Sequence, residues 1–201
     1  MTDFPPTSHD TCPVGIRRAT TPDADAIAAI HVRSWVATYE RPPSDRGLDT
    51  DIAHRTEVWR HRLDQQDRLD QQNIGRKILV ASLDGAVAGF IYFGPSPDVQ
   101  DDPRKTGQIF SVHVEPAVTG RGVGRHLMKG AIDELRADGC TTATLWVLMS
   151  NQESRGFYET LGWRTDGKQR WEELAVEGEQ GEQVEVVRYH LELLPEDRLS
   201  T

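Results

Sequence analysis

Residues 109–125 read IFSVHVEPAVTGRGVGR. An apolar run ends in Pro116, and the glycine turn Gly120-Arg121-Gly122-Val123-Gly124 follows at once. Beyond it Val123, Leu127, Ala131 and Leu135 recur every four residues up to Gly139. That spacing makes one apolar stripe, so a strand over 107–114 and a helix from near Gly120 to Gly139 are predicted. The first turn of a helix carries N–H groups without partners, and the helix dipole adds partial positive charge there. Such an end is a ready anion site. Glycine lets a phosphate approach the backbone closely, and Arg121 and Arg125 can add charge. Two common phosphate fingerprints fail. Arg125 stands where G-x-G-x-x-G needs its third glycine, and no Gly-Lys-Ser/Thr follows, which disfavours a nucleotide-binding α/β protein.

Working outward, KILVASL (77–83) and AVAGFIYFG (86–94) flank Asp84-Gly85, the strongest short hairpin signal. Residues 95–106 hold three prolines and four acids or amides and read as a loop. Upstream, a strand is expected over Val14–Ala19, then a helix starting at Thr21-Pro22-Asp23 and running to about Tyr39. Arg41-Pro42-Pro43 breaks it. A second, polar helix is expected from Asp51 to Gln66; the Asp/Gln-rich stretch 64–72 either extends it or loops. Downstream come a strand over Ala143–Met149 and a short helix capped by Ser150 or Asn151 and ending at Leu161-Gly162. Trp163 opens a further strand, residues 166–183 read as a long turn, and the final strand runs over Val184–Leu193. This order implies a mixed α/β domain around one sheet, spanning 14–193, with tails at 1–13 and 194–201.

The 201 residues suit one domain. A net charge of −9 argues against a nucleic-acid partner, and no run is long and apolar enough for a membrane span. With no leader-like segment the chain is expected to be cytoplasmic. Cys12 and Cys140 make neither a disulfide framework nor a zinc site, and no metal is expected. The last strand could pair across a homodimer.

The layout of the glycine segment resembles the acetyl-CoA motif of the GNAT N-acetyltransferase superfamily, Arg/Gln-x-x-Gly-x-Gly/Ala after a strand that ends near a proline. Thr119 takes the Arg/Gln position and is a departure. A second segment, NQESRGFYETLGW (151–163), matches the family's later pattern. The resemblance covers about residues 14–193 and implies the GNAT fold: a mostly antiparallel sheet of six to seven strands, splayed between strands 4 and 5, with about four helices. It implies acetyl-CoA as co-substrate and a small-molecule or peptide amine as acceptor. Backbone groups of Val112 and Val114 are then expected to pair with the pantetheine arm, and Thr119 to help order the turn. Amides from Arg121 through Gly122, Val123 and Gly124 to Arg125 are expected to hold the pyrophosphate. Asn151 caps the later helix and reaches the arm. Ser154 is small enough for close approach, and Tyr158 is the candidate general acid for the departing thiolate.

The base is less defined. A free alkyl ammonium, with a pKa of about 10.4, must lose a proton before it attacks. Some members carry a glutamate early on the fourth strand, where this chain has Gln108, which cannot act as a base. His113 and Glu115 are the nearest titratable groups; alternation turns His113 to the face opposite Val112 and Val114. HVRSWVATY (31–39) resembles an aromatic-rich pocket helix of bacterial members. Trp35 and Tyr39, four apart, could frame an amine by cation–π contact or simply pack. Trp171-Glu172-Glu173 is a further candidate pocket element. The chain thus reads as an N-acetyltransferase acting by direct attack; the alternative is an inactive acyl-CoA-binding sensor of the same fold.

Overall fold

A computed structural model describes residues 13–38, 52–69, 75–174 and 182–193. The hairpin at Asp84-Gly85 organises it. β2 (Lys77–Leu83) pairs antiparallel with β3 (Ala86–Pro95), with Leu83 opposite Ala86. Successive side chains alternate between faces. Ile78, Val80, Phe90 and Tyr92 enter one core, while Leu79, Ala81, Ile91 and Phe93 enter another. Both faces are covered, which is why these strands read as continuous apolar runs.

β1 (Gly15–Arg18) flanks β2, and β4 (Thr106–Val114) flanks β3. β5 (Thr142–Leu148), β7 (Glu182–Glu192) and β6 (Arg164–Leu174) complete seven strands in the order β1–β2–β3–β4–β5–β7–β6. One face carries α1 (Ala24–Thr38) and α2 (Ile52–Leu69), which bury Ile27, Ile30, Trp59 and Leu63. The other carries α3 (Val123–Ala137), with Leu127, Ala131 and Leu135 buried, and α4 (Gln152–Thr160), whose Phe157 and Tyr158 pack on the same core. Each large apolar side chain withdrawn from water contributes about 1.5–3 kcal/mol. α3 ends in a Schellman pattern, with Gly139 N donating to Arg136 O and Cys140 N to Leu135 O at 2.9 and 3.0 Å.

The feature that positions the site is a divergence. β4 and β5 are the parallel pair, and they stay paired only from Thr106–Thr142 to Ile109–Leu145. β4 then bulges: Ile109 faces Phe93, Ser111 faces Tyr92, and Phe110 is skipped. A bulge bends its strand and raises the local twist. β4 therefore follows β3 while β5 follows β7 as far as Leu148–Val186, and a gap opens between them.

The sheet bears out the expected fold, and several boundaries move. The first helical cap is Thr20, whose N–H and hydroxyl both meet the Asp23 carboxylate at 2.8 and 3.0 Å; Thr21 opens a 3-10 turn. Within the Asp64–Gln72 stretch the helix continues to Leu69. Gln66 holds it to the sheet, donating to Ala19 O at 3.1 Å and accepting from Ile78 N at 2.5 Å. α3 begins at Val123, three residues later than Gly120, because Gly120 and Gly122 adopt positive φ. The reading of 166–183 as a long turn is corrected, since β6 runs through Leu174 and β7 begins at Glu182. The polar composition there belongs to an edge strand, with an irregularity between Thr165 and Gln169. Tyr39 and the break at 41–43 lie outside the described residues.

Candidate active site

A cleft of ≈590 Å³ lies where the strands part. It has the size of a small-molecule site. β4 contributes Val112, His113 and Val114; the turn contributes Pro116, Thr119, Gly120 and Gly122; α3 contributes Val123, Gly124 and Arg125. α4 adds Glu153, Ser154, Phe157 and Tyr158, and α1 adds Ser34, Ala37 and Thr38.

The turn is built for backbone exposure. Gly120 and Gly122 have φ of +84° and +83°, a region where a Cβ would meet the following carbonyl. Gly124 serves proximity, since a Cβ there would lie 3.3 Å from Phe157 Cζ and 3.5 Å from Val114 Cγ2. The helix's first i→i−4 bond runs from His126 N to Gly122 O at 3.1 Å. The amides of Val123, Gly124 and Arg125 precede it, so they have no partner of that kind. All three residues belong to the cleft lining. Arg121 turns away to Asp84, 3.4 Å distant on the β2–β3 turn.

On the far wall His113 is half-buried, stacked on Phe90 at 5.1 Å between ring centres and 4.4 Å from His31. Ser34 Oγ lies 3.0 Å from the His31 carbonyl oxygen and 2.7 Å from His113 Nδ1. The carbonyl can only accept, so the hydroxyl proton goes there. Its oxygen then accepts from His113 Nδ1–H, and Nε2 keeps the open lone pair. Trp59 Nε1 donates to His31 Nδ1 at 3.2 Å, which places the His31 proton on Nε2. Burial, then the Arg55 charge, brings the His113 pKa down to about 3. His31 falls to about 2 through burial, then His113, Arg55 and Arg62. Both rings are neutral at physiological pH.

Glu115 leaves the cleft. Both its oxygens accept from Arg33, the shortest contact being 2.6 Å. Asn151 caps α4 by accepting from Ser154 N at 3.0 Å and is absent from the cleft lining. Trp35 is absent as well, because α1 presents Ser34, Ala37 and Thr38 instead. Trp171 is exposed on β6. Ser34, Thr38 and Glu153 were missed from sequence. The signal for the α1 residues was a set of small side chains at i, i+3 and i+4, Ser34, Ala37 and Thr38, overshadowed by the aromatics beside it. Among the described residues no cluster of three or more His, Cys, Asp or Glu could hold a metal, and no helix is long and apolar enough to cross a membrane.

A sheet opened between its parallel strands, with a glycine turn and a helix start at the mouth of the gap, is the arrangement that the resemblance to the GNAT superfamily implied. The Acetyltransferase (GNAT) family model matches residues 25–163, and the chain belongs to that family. It is 32% identical over 116 residues to an L-methionine sulfoximine/L-methionine sulfone acetyltransferase of Salmonella typhimurium, covering 55% of this chain and 67% of that one. It is 26% identical over 147 residues to a mycothiol acetyltransferase of Brachybacterium faecium, covering 73% of this chain and only 39% of that one. A Salmonella typhimurium acetyltransferase structure with its cofactor acetyl-CoA superposes with a TM-score of 0.63 at 28% identity, covering 90% of this chain and 94% of that one.

Proposed function

We propose that this chain is an active N-acetyltransferase that moves the acetyl group of acetyl-CoA to a primary amine by direct attack. The observation that carries the reading is the cleft itself. The first residues of α3 and the stretch of β4 beyond its pairing with β5 flank one gap, with Tyr158 and His113 among its lining residues. The pyrophosphate is held by the amides of Gly122 to Arg125 with the Arg125 charge, and Thr119 lines the turn. The β4 edge at Val112 and Val114 receives the pantetheine arm beside Ser154. A backbone N–H of that edge polarises the thioester carbonyl.

The amine nitrogen bonds the thioester carbon and the C–S bond breaks. The surplus proton on nitrogen passes to water, the CoA sulfur takes one from Tyr158, and the phenolate left behind is reprotonated from water. His113 Nε2 is the acceptor that orients the amine. It is preferred to Glu115, whose oxygens are committed to Arg33. With a pKa near 3, His113 does not deprotonate a free ammonium. The burial that keeps the imidazole neutral also disfavours a bound ammonium, so the amine enters in its neutral form.

The two named relatives act on different molecules, and kinship selects no acceptor. Binding without turnover is the competing reading, and it draws on Gln108 and Thr119. Thiol release from acetyl-CoA with a panel of amines separates the two. Amine-dependent release supports the enzyme; saturable acetyl-CoA binding with no release on any amine refutes it.

A further inference from the structure

Ser34 and His113 meet on the cleft wall, and a serine bonded to an imidazole beside a thioester site admits two roles. Either the ring takes the serine's proton and makes a nucleophile, or the serine fixes the ring. The hydrogen bonds decide between them. Ser34 Oγ lies 3.0 Å from the His31 carbonyl oxygen, one turn back on α1, and 2.7 Å from His113 Nδ1. A hydroxyl has a single proton, and a backbone carbonyl only accepts. Serine in a helix commonly bonds back to the carbonyl three or four residues earlier. With its proton directed there, Ser34 offers His113 a lone pair. The proton points away from the ring, so the pair is not poised for nucleophilic attack.

Ser34 is held in place from several sides. Its own carbonyl accepts from Thr38 Oγ1 at 2.7 Å, and the neighbouring Arg33 grips Glu115 just past the end of β4. Trp59 Nε1 donates to His31 Nδ1, which steadies the turn that receives the Ser34 proton. Ser34 is buried. Phe90 stacks on the His113 ring and His31 lies against it, so packing fixes the plane of the ring. Packing does not fix its proton. Among the described residues the Ser34 hydroxyl is the only hydrogen-bond partner of that ring. Burial keeps the ring uncharged, so one nitrogen carries a proton and the other a lone pair. A neutral imidazole left to itself in water carries the proton mostly on Nε2, and Ser34 reverses that preference. The two ring nitrogens point in roughly opposite directions, so anchoring Nδ1 to α1 turns Nε2 away from it.

We infer that Ser34 is a positioning residue for acetyl transfer: it holds the His113 proton on Nδ1 and leaves the Nε2 lone pair for an N–H of the incoming amine. This inference rests on the transferase reading and adds to it the group that sets the polarity of the ring. The amine nitrogen needs its own lone pair for the thioester carbon. A ring that accepts engages the amine through N–H and leaves that lone pair free for attack. A ring that donates from Nε2 would tie the same lone pair up. Ser34 thus decides whether His113 aids the attack or blocks it.

Nitrogen NMR on the full chain with isotope-labelled histidine reads the tautomer, because protonated and bare ring nitrogens differ widely in shift. The His113 signals are those lost in His113→Phe. The resting protein is expected to carry the proton on Nδ1, and a proton on Nε2 overturns the inference with no variant needed. In Ser34→Ala the proton is expected to move to Nε2. Thiol release with benzylamine, ethylamine and leucinamide then gives kcat/KM, which should fall about fivefold or more, the worth of one hydrogen bond, while calorimetric acetyl-CoA affinity holds. An unmoved proton, an unchanged kcat/KM or an equal loss of acetyl-CoA affinity overturns it. So does an acetyl group on Ser34 after incubation with acetyl-CoA, read by peptide mass, because forming that ester sends the hydroxyl proton to His113 Nδ1 as the C–S bond breaks. If no amine turns over, the transferase reading fails, and the tautomers of the wild-type chain and of Ser34→Ala still decide whether Ser34 sets the ring.

Discussion

Acidification should destabilise the fold through His31 and His113. In the unfolded chain each imidazole titrates at about 6.5. In the fold they titrate at about 2 and about 3. Between those values the unfolded state binds more protons, so stability is fully present above about pH 6.5 and is lost as pH falls. From pH 7 to pH 5 each neutral ring costs about 2 kcal/mol, hence about 4 kcal/mol for the pair. That is a large share of a typical stability of about 5–15 kcal/mol. The carboxylates of Asp23 and Asp166 are also held low, Asp23 chiefly by its hydrogen bonds from Arg17 and Asp166 by its bonds from Arg188 against the opposing effect of burial. Their losses begin below the ordinary carboxylate range of about 4, outside this window. Urea unfolding followed by tryptophan fluorescence at several pH values measures the slope. His113→Phe, which keeps the stack on Phe90, should halve it. A loss under about 1 kcal/mol, or an unchanged slope in His113→Phe, would refute the account of these rings as buried and neutral.

Four further outcomes are expected. For an active amine, kcat/KM should rise about tenfold per pH unit toward the amine's own pKa, with no inflection near the imidazole value of about 6.5; an inflection there would make His113 a titrating base. Tyr158→Phe should lower kcat by about 10²-fold or more while calorimetric acetyl-CoA affinity holds, and an unchanged kcat removes Tyr158 as the acid. Gly122→Ala should cost about 1–2 kcal/mol of stability, because its φ of +83° is strained for alanine even though the nearest atom, His126 Nδ1, is 3.7 Å away. Gly124→Val should instead weaken acetyl-CoA binding by about tenfold or more, and undiminished binding would detach the pyrophosphate from this turn.

Much of the fold was legible because its signals are local. The Asp84-Gly85 turn, the four-residue stripe of α3, and the stop at Gly139 each depend on neighbours within a few residues. The β6–β7 region was misread because an edge strand exposed to water needs no apolar alternation, and its register is set by β7 rather than by its own composition. On α1 the aromatics drew attention, yet the helix turns the small residues Ser34, Ala37 and Thr38 to the cleft. A helix's facing is set by what it packs against.

The sequence by itself determined the order of elements, the glycine turn and its anion-binding character, and the later helix with Asn151 and Tyr158. All follow from backbone sterics and periodicity within short windows. Only the tertiary structure decided where β4 leaves β5, because a bulge at Phe110 shows itself in strand pairing. It also brought His113 to Ser34 and His31 across 79 and more positions, and committed Glu115 to Arg33 across 82. Charges and lone pairs are matched through space, and chain order carries no record of which partner a buried group will meet.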